Sequence, residues 1–155
     1  MPGVKRYEDL EAWQIADELK LEVYALTATG PASADLEYRN QIRASAASST
    51  KNIAEGFGRF RPADNARFVE FAVSSTMETK DSLKDGVDRG HFTPERVLRA
   101  QQLAERSIQC STKFIVYLKS CKKKRRPRPT LAGNSCYLTH SRALRDVCCG
   151  PKADV

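Results

Sequence analysis

The residue types that most often carry chemistry are sparse in this sequence. It contains two histidines, His91 and His140, and neither has a plausible catalytic Cys, Ser or acid partner nearby in the chain. Acidic residues at helical spacing, such as Asp81 and Asp85, stand beside lysines and arginines, which is typical of a solvated helix face. Because no acid–base pair or activated nucleophile emerges, we predict that the protein is not an enzyme.

The cysteines do not form a recognisable disulfide or metal pattern. There are five, all in the last third of the chain: Cys110, Cys121, Cys136, Cys148 and Cys149. An odd number without C-x-x-C spacing favours reduced thiols over a disulfide scaffold. Four potential zinc ligands lie near the C-terminus: Cys136, His140, Cys148 and Cys149. Since adjacent cysteines fit one tetrahedral ion poorly, we predict no metal site and no cofactor.

Positive charge is concentrated at the C-terminal end of the sequence. The net charge is +7, yet residues 122–155 hold nine Lys or Arg and two Asp or Glu, which leaves 17 of each sign in residues 1–121. Prolines at 127 and 129 keep this basic segment extended, so that it can follow a phosphate backbone without reading sequence. The predicted nucleic-acid-binding residues are Lys122, Lys123, Lys124, Arg125, Arg126 and Arg128.

Hydrophobic periodicity predicts four helices and no strand in the rest of the chain. The segments run from about residue 7 to 27, from 35 to 57, from 62 to the Gly86–Gly90 region, and from 93 to 121. Short connections between them predict an all-α fold, an antiparallel up-down four-helix bundle over residues 1–121. Residues 122–155 are predicted to be a disordered, basic C-terminal tail. The fourth helix has two adjacent apolar stripes, wide enough to contact more than one neighbour.

The stretch NIAEGFGRF, residues 52–60, ends the second predicted helix. It lacks the third glycine of a dinucleotide-binding motif, the Lys-Ser/Thr of a P-loop and a preceding strand, so a phosphate loop is disfavoured. Gly56 continues a seam of apolar and small residues (Ile42, Ala46, Ser49, Ile53, Gly56 and Phe60) and is predicted to let another helix approach closely. Gly58 is predicted to be the left-handed residue that ends the helix. Glu55 and Arg59 are spaced for a helical ion pair, which is either structural or part of a binding surface.

Five short motifs carry a resemblance to a known family: DLEAW at 9–13, QIR at 41–43, NIAEGFGR at 52–59, RF at 67–68, and Glu78. Over roughly residues 5–120 the sequence resembles the 23S rRNA intervening-sequence proteins, also called the four-helix-bundle protein family. The resemblance implies a small, bacterial, cytoplasmic homo-oligomer, often a pentamer, and some members are encoded inside insertions within large-subunit rRNA genes. The motif residues expected to have structural or interface roles are Trp13, Arg43, Asn52, Glu55, Gly56, Gly58, Arg59, Phe68 and Glu78. Trp13 is expected to pack in the core or a subunit interface, with base stacking as the alternative.

Two classes of function remain open. The first is a non-catalytic oligomer that binds RNA or DNA, in association with rRNA. The second is a protein-binding assembly module, such as an accessory partner of a reverse transcriptase, because the family is similar in fold to accessory proteins of diversity-generating retroelements. The N-terminal sequence MPGVKRYEDLEAW has no apolar stretch, and no apolar run approaches the roughly 18 residues of a membrane span. We therefore expect a cytoplasmic protein with no membrane partner.

Overall fold

A computed structural model describes residues 4–121, and every regular element within them is helical. A short 3₁₀ turn, Tyr7–Asp9, precedes α1, Glu11–Leu26. A one-turn helix, α2, spans Pro31–Ala34. Three long helices follow: α3, Leu36–Phe57, α4, Pro62–Asp88, and α5, Pro94–Ser120. The predicted all-α class is thus correct for the described residues.

The four long helices match the four segments predicted from periodicity, and α2 was not predicted. The sequence indicated only a break around Gly30 and Pro31. Gly30 has φ +76°, which reverses the chain, and Pro31 then occupies the first position of α2. Proline suits this position because its fixed φ is helical and its missing N–H would have no partner there. The break therefore contains one helical turn.

The ends of the long helices follow from their terminal residues, with one correction. Asp35 caps α3, since its Oδ1 accepts a hydrogen bond from the Tyr38 amide at 3.1 Å. Thr93 directly precedes α5, and its side chain makes no capping hydrogen bond. Gly58 was predicted to be left-handed, and this is wrong: its φ is −70°. Its amide still bonds to the Ala54 carbonyl at 3.3 Å, so the helical turn persists through this residue.

Each long helix packs against two others: α1 against α3 and α5, and α4 against α3 and α5. Across the α3–α4 interface, Tyr38 Oη donates to the Ser82 carbonyl at 2.8 Å, and Ser45 Oγ lies 3.0 Å from Thr79 Oγ1. Further along, Ser75 Oγ donates to Ser48 Oγ at 2.9 Å. Residue numbers rise along α3 as they fall along α4, so these two helices run in opposite directions.

The core lies between the four long helices and uses the predicted apolar faces. Most of both stripes of α5 is buried within the chain. The buried members are Val97, Ala104, Ser111 and Leu118 in one stripe and Ala100, Leu103, Ser107, Cys110 and Phe114 in the other, and the remaining stripe residues are partly buried. The width of α5 is therefore used by α1 and α4, its neighbours in the same chain. Within residues 4–121, no helix combines the length and the apolar character that crossing a bilayer requires.

The small-residue seam of α3 is buried from Ile42 to Gly56. Phe60 was predicted to continue this seam, and that prediction is wrong, because 72% of its surface is exposed. The physical reason is that α3 ends at Phe57, so the helical spacing that would bring Phe60 to the buried face no longer applies. Phe60 instead lies in the short connection to α4.

Candidate nucleic-acid interface at the α3–α4 turn

The first turns of α4 pass directly against Gly56, near the end of α3. A Cβ atom at this position would lie 2.7 Å from Asn65 Oδ1 and 2.9 Å from the Cβ of Phe68. Such distances are shorter than van der Waals contact, so a side chain here would force the two helices apart. The absence of a side chain at Gly56 thereby places Phe68 beside the end of α3.

Arg59 connects the two helices at this turn. It forms an ion pair with Glu55, one helical turn earlier, and about half of each side chain is exposed (46% and 54%). Its guanidinium also lies 4.5 Å from the centroid of the Phe68 ring, within the range of a cation–π interaction. The ring and the Glu55 carboxylate together hold the position of the guanidinium, which stays about half exposed.

A second arginine–aromatic pair lies next to the first along α4. The Arg67 guanidinium is 5.6 Å from the Phe71 ring centroid, and the Phe68 and Phe71 rings meet edge to face at 5.9 Å. Together with Asp64, these side chains line a groove of about 340 Å³. We call it the Arg–Phe groove, and its lining residues are Arg59, Asp64, Arg67, Phe68 and Phe71.

The surroundings of the Arg–Phe groove are basic and aromatic. Arg61, the exposed residue that precedes α4, and Arg67 form no ion pair with a carboxylate of residues 4–121. Phe71 is 44% exposed and Phe60, next to Arg59 in the chain, is 72% exposed. Positive charge and accessible aromatic rings are the two features that surfaces for single-stranded nucleic acids combine.

Arg43, another residue of the family motif, stabilises the end of α1. Its Nε donates to Thr27 Oγ1 at 2.7 Å and a terminal nitrogen donates to the Tyr24 carbonyl at 3.3 Å. The guanidinium also lies 5.3 Å from the Tyr24 ring centroid. A cation at a helix C-terminus complements the free carbonyls and the helix dipole. In this position Arg43 ties α3 to α1.

The remaining motif residues lie outside the Arg–Phe groove. Trp13 is half-buried against the core, with its ring 5.4 Å from that of Tyr7. Asn52 donates to the Ser48 carbonyl at 2.9 Å and to its Oγ at 3.1 Å. Glu78 is exposed on α4, and Gly58 is exposed at the end of α3. The motif therefore includes residues that pack the helices together as well as residues that line the groove.

The predicted basic segment lies outside the described residues. This applies to Lys122, Lys123, Lys124, Arg125, Arg126 and Arg128, to the predicted tail of which they are part, and to the four potential zinc ligands near the C-terminus. Within residues 4–121, no three His, Cys, Asp or Glu side chains are grouped so that they could hold a metal ion.

A polar cluster around Asp35 was missed by the sequence analysis. His91 Nε2 lies 3.1 Å from Asp35 Oδ2, and Arg89 approaches the same oxygen at 3.8 Å. The hydrogen bond from the Tyr38 amide, and further the His91 and Arg89 side chains, lower the pKa of Asp35. Burial, and secondarily Asp85, raises the pKa of Tyr38 to about 12. Asp35 and His91 are 56 residues apart, so only the capping position of Asp35 could have signalled the cluster.

The Asp35 cluster has the character of a structural cap. Asp35 is occupied by the α3 amide and by His91, and the Tyr38 hydroxyl donates to the Ser82 carbonyl. The His91 ring packs 4.9 Å from the Tyr38 ring, which further fixes it. A histidine held in this way helps to close this end of the α3–α4 helix pair.

Comparison with protein families agrees with the motifs quoted above. The model of the 23S rRNA-intervening sequence protein family matches residues 8–113, which include α1, the Arg–Phe groove and most of α5. Comparison with curated proteins found no match to the chain. Since the matched segment covers more than half of the sequence, the chain belongs to the 23S rRNA-intervening sequence protein family.

Proposed function

We propose that the protein is a non-catalytic, homo-oligomeric RNA-binding protein with an rRNA-associated role, and that its basic C-terminal segment supplies most of the affinity. The observation that carries this proposal is the distribution of charge. All of the +7 net charge comes from residues 122–155, while the helical body is balanced. A concentrated basic segment attracts phosphates at long range and gains affinity by releasing their counterions. The family's description supports RNA as the polyanion.

RNA binding is tested by a salt titration of the full-length chain in which six basic residues of the C-terminal segment are replaced by glutamine. Its six substitutions are Lys122→Gln, Lys123→Gln, Lys124→Gln, Arg125→Gln, Arg126→Gln and Arg128→Gln. Six phosphate contacts give a log–log slope of affinity against salt of up to about −4 to −5. We expect the variant to lose most of this slope in filter-retention assays, as should a chain truncated after Cys121. Equal affinity and slope in the variant and the wild type would refute the role of the segment.

The helical body is proposed to be an up-down bundle that assembles into a ring. The opposite directions of α3 and α4 support the up-down arrangement. For assembly, the support is the family resemblance together with the apolar side chains that, apart from Phe60, are more than half exposed: Leu21, Leu36, Met77, Leu98 and Val116. Several basic segments in one ring would act together and raise the avidity for RNA. Light scattering after gel filtration tests this directly, and a monomer mass at micromolar concentration would contradict it.

The same exposed apolar residues favour a protein partner as the second candidate. A non-catalytic assembly module, for example an accessory partner of a reverse transcriptase, would use such side chains at the centre of its interface. The position of the gene separates the two candidates. A location inside a large rRNA gene supports the rRNA-associated role, whereas a location beside a reverse transcriptase gene supports the second.

A further inference from the structure

Arg67, which lines the Arg–Phe groove, has different partners from Arg89 and Arg99, two other arginines of the helical body. Elsewhere the guanidinium groups of Arg89 and Arg99 are paired with acids: Arg89 Nε lies 2.7 Å from Asp85, and Arg99 lies 3.2 Å from Glu18. At the groove, Arg59 is also paired with an acid, Glu55, and lies 4.5 Å from the Phe68 ring centroid. Arg67 instead lies 5.6 Å from the Phe71 ring centroid and forms no ion pair with a carboxylate of residues 4–121. An aromatic ring positions a guanidinium without neutralising it, so the charge of Arg67 is available to a ligand.

This arrangement prepares the two guanidiniums for phosphate. A guanidinium carries its N–H donors in a planar fork that matches two phosphate oxygens. Because the Phe68 and Phe71 rings already restrict Arg59 and Arg67, less side-chain entropy is lost when a phosphate binds. Arg61 adds a third cation within three residues of Arg59. Glu55 and Asp64 are the acids at this site, so the three arginines leave a net charge of +1, which suits one phosphate.

The groove also has features that fit a base. The Phe71 ring is 44% exposed and the Phe60 ring 72% exposed, so both have surface on which a base can stack. Asp64 lines the groove and can accept a hydrogen bond from an exocyclic amino group. Stacking of this kind needs a base that is not already stacked and paired in a helix, which points to a single strand or a loop. The groove has a volume of about 340 Å³, which is at the small end of the range for ligand sites and suits a single nucleotide base.

We propose that the Arg–Phe groove binds a nucleotide of single-stranded RNA, with Arg59 and Arg67 on the phosphate and the exposed phenylalanine rings on the base. The inference rests on the proposed RNA-binding function and locates a second contact, on the helical body itself. The basic C-terminal segment supplies affinity for any polyanion, while the groove selects unpaired nucleotides. Loss of the groove contact therefore changes the preference for single strands over duplexes.

The test uses the full chain and fluorescence anisotropy with a labelled single-stranded RNA of about twelve nucleotides, compared with the duplex of the same sequence. Arg67→Gln removes one phosphate contact and is expected to weaken single-strand binding about 5- to 10-fold, with a salt slope shallower by about 0.7. Phe71→Leu removes a stacking surface and is expected to weaken single-strand binding about 5-fold or more without changing the slope. Duplex binding should change less than 2-fold in Phe71→Leu.

The matched control is Arg106→Gln, which removes the same charge from an exposed position on α5. Thermal unfolding of each variant checks that the body is intact, and Phe71→Leu is a mild change because Phe71 is partly exposed. If Arg67→Gln behaves like Arg106→Gln and Phe71→Leu binds like the wild type, the groove is not the site, although the proposed function stands. If Phe71→Leu weakens binding to the duplex as much as binding to the single strand, the assignment to single strands is also overturned. If the wild-type chain binds neither RNA at low salt, the proposed function itself fails.

Discussion

Helices α3 and α4 approach closely at both ends of their interface, and a glycine permits the contact at each. At the Gly56 end, the glycine lies against Asn65 and Phe68 of α4. At the Gly86 end, a Cβ on the glycine would collide with the Tyr38 hydroxyl and lie 2.9 Å from the Phe92 ring. At both ends, therefore, a glycine allows a neighbouring side chain to pack closely, although the surroundings of the two glycines differ.

The two ends of the α3–α4 interface differ in the partners of their polar side chains. At the Gly86 end, Tyr38 donates to the Ser82 carbonyl, Asp35 caps α3 and contacts His91, and Phe92 is buried. At the Gly56 end, Arg59 and Arg67 lie on aromatic rings at the surface. A helix end whose polar groups bond to one another contributes to stability, whereas an end with cations on exposed rings can still gain partners. Substitutions at the two ends should therefore affect different measurements.

The largest effect is expected for Gly86→Ala. The collision with Tyr38 and Phe92 should cost about 3–4 kcal/mol, at or just above the usual range for overpacking, and the helix-propensity gain of about 1 kcal/mol leaves a net loss of about 2–3 kcal/mol. Urea titration followed by circular dichroism measures this loss. The control is Gly58→Ala, whose new Cβ would have its nearest neighbour, the Glu55 carbonyl, at 3.4 Å. With φ at −70°, Gly58→Ala should be neutral or slightly stabilising. If Gly86→Ala leaves the free energy of unfolding unchanged, the Gly86 end is not the more tightly packed of the two ends.

A smaller loss, of about 1–2 kcal/mol, is expected for Gly56→Ala. The new Cβ meets Asn65 and Phe68, but these belong to the first turns of α4, which follow the exposed connection at residues 58–61 and can shift outward. Gly56→Leu should cost more than Gly56→Ala because no space for a long side chain exists there. The same urea titration applies. A stabilised Gly56→Ala protein would mean that the helices do not touch at this end.

Acid should weaken the Gly86 end selectively. The Tyr38 amide first, and then His91 and Arg89, hold the pKa of Asp35 below its ordinary value of 3.8. Because the folded-state pKa is lower than the unfolded one, the stabilisation by the Asp35 carboxylate is complete above about pH 5 and is lost as pH falls through the folded-state pKa. Asp35→Asn keeps a capping side chain without the charge. As the pH is lowered from about 5 to about 2.5, the wild type should lose its advantage, so that the melting temperatures of Asp35→Asn and the wild type converge.

The control for the acid titration is Asp81→Asn, at an exposed position on α4. Its difference from the wild type should stay small across the same range. A gap between Asp35→Asn and the wild type that stays constant with pH would show that the charge of Asp35 plays no part in closing this end.

The smallest effect on stability is expected for Glu55→Gln at the Gly56 end. The Glu55–Arg59 pair is about half exposed, so its loss should cost roughly 0.2–0.5 kcal/mol. Removing the acid frees Arg59, however, and single-strand RNA binding should become about 2-fold tighter at low salt. Urea titration and anisotropy on the same preparation measure both quantities. A loss of stability above 1 kcal/mol would place this pair among the structural contacts.

Periodicity predicted the long helices because the buried faces of α1, α3, α4 and α5 keep helical spacing over many turns. Periodicity was wrong for Phe60, since it could not place the end of α3. The left-handed cap predicted at Gly58 was wrong for another reason, since glycine also adopts the right-handed conformation that it has here. Within the Arg–Phe groove, the Arg67–Phe71 pair has the i,i+4 spacing of neighbours on one helix face and was readable in principle. The Arg59–Phe68 pair depends on the path of the turn between α3 and α4, which no local pattern specifies.

The hydroxyl contacts between Ser45 and Thr79 and between Ser48 and Ser75 have a mechanical consequence. Sliding α3 past α4 by one turn, about 5.4 Å, would separate both pairs and drive the glycines at the two ends out of their contacts. We therefore expect the two helices to keep this one register. We further expect a displacement of α3 and α4 at one end of the body to tilt the two helices together rather than slide one along the other.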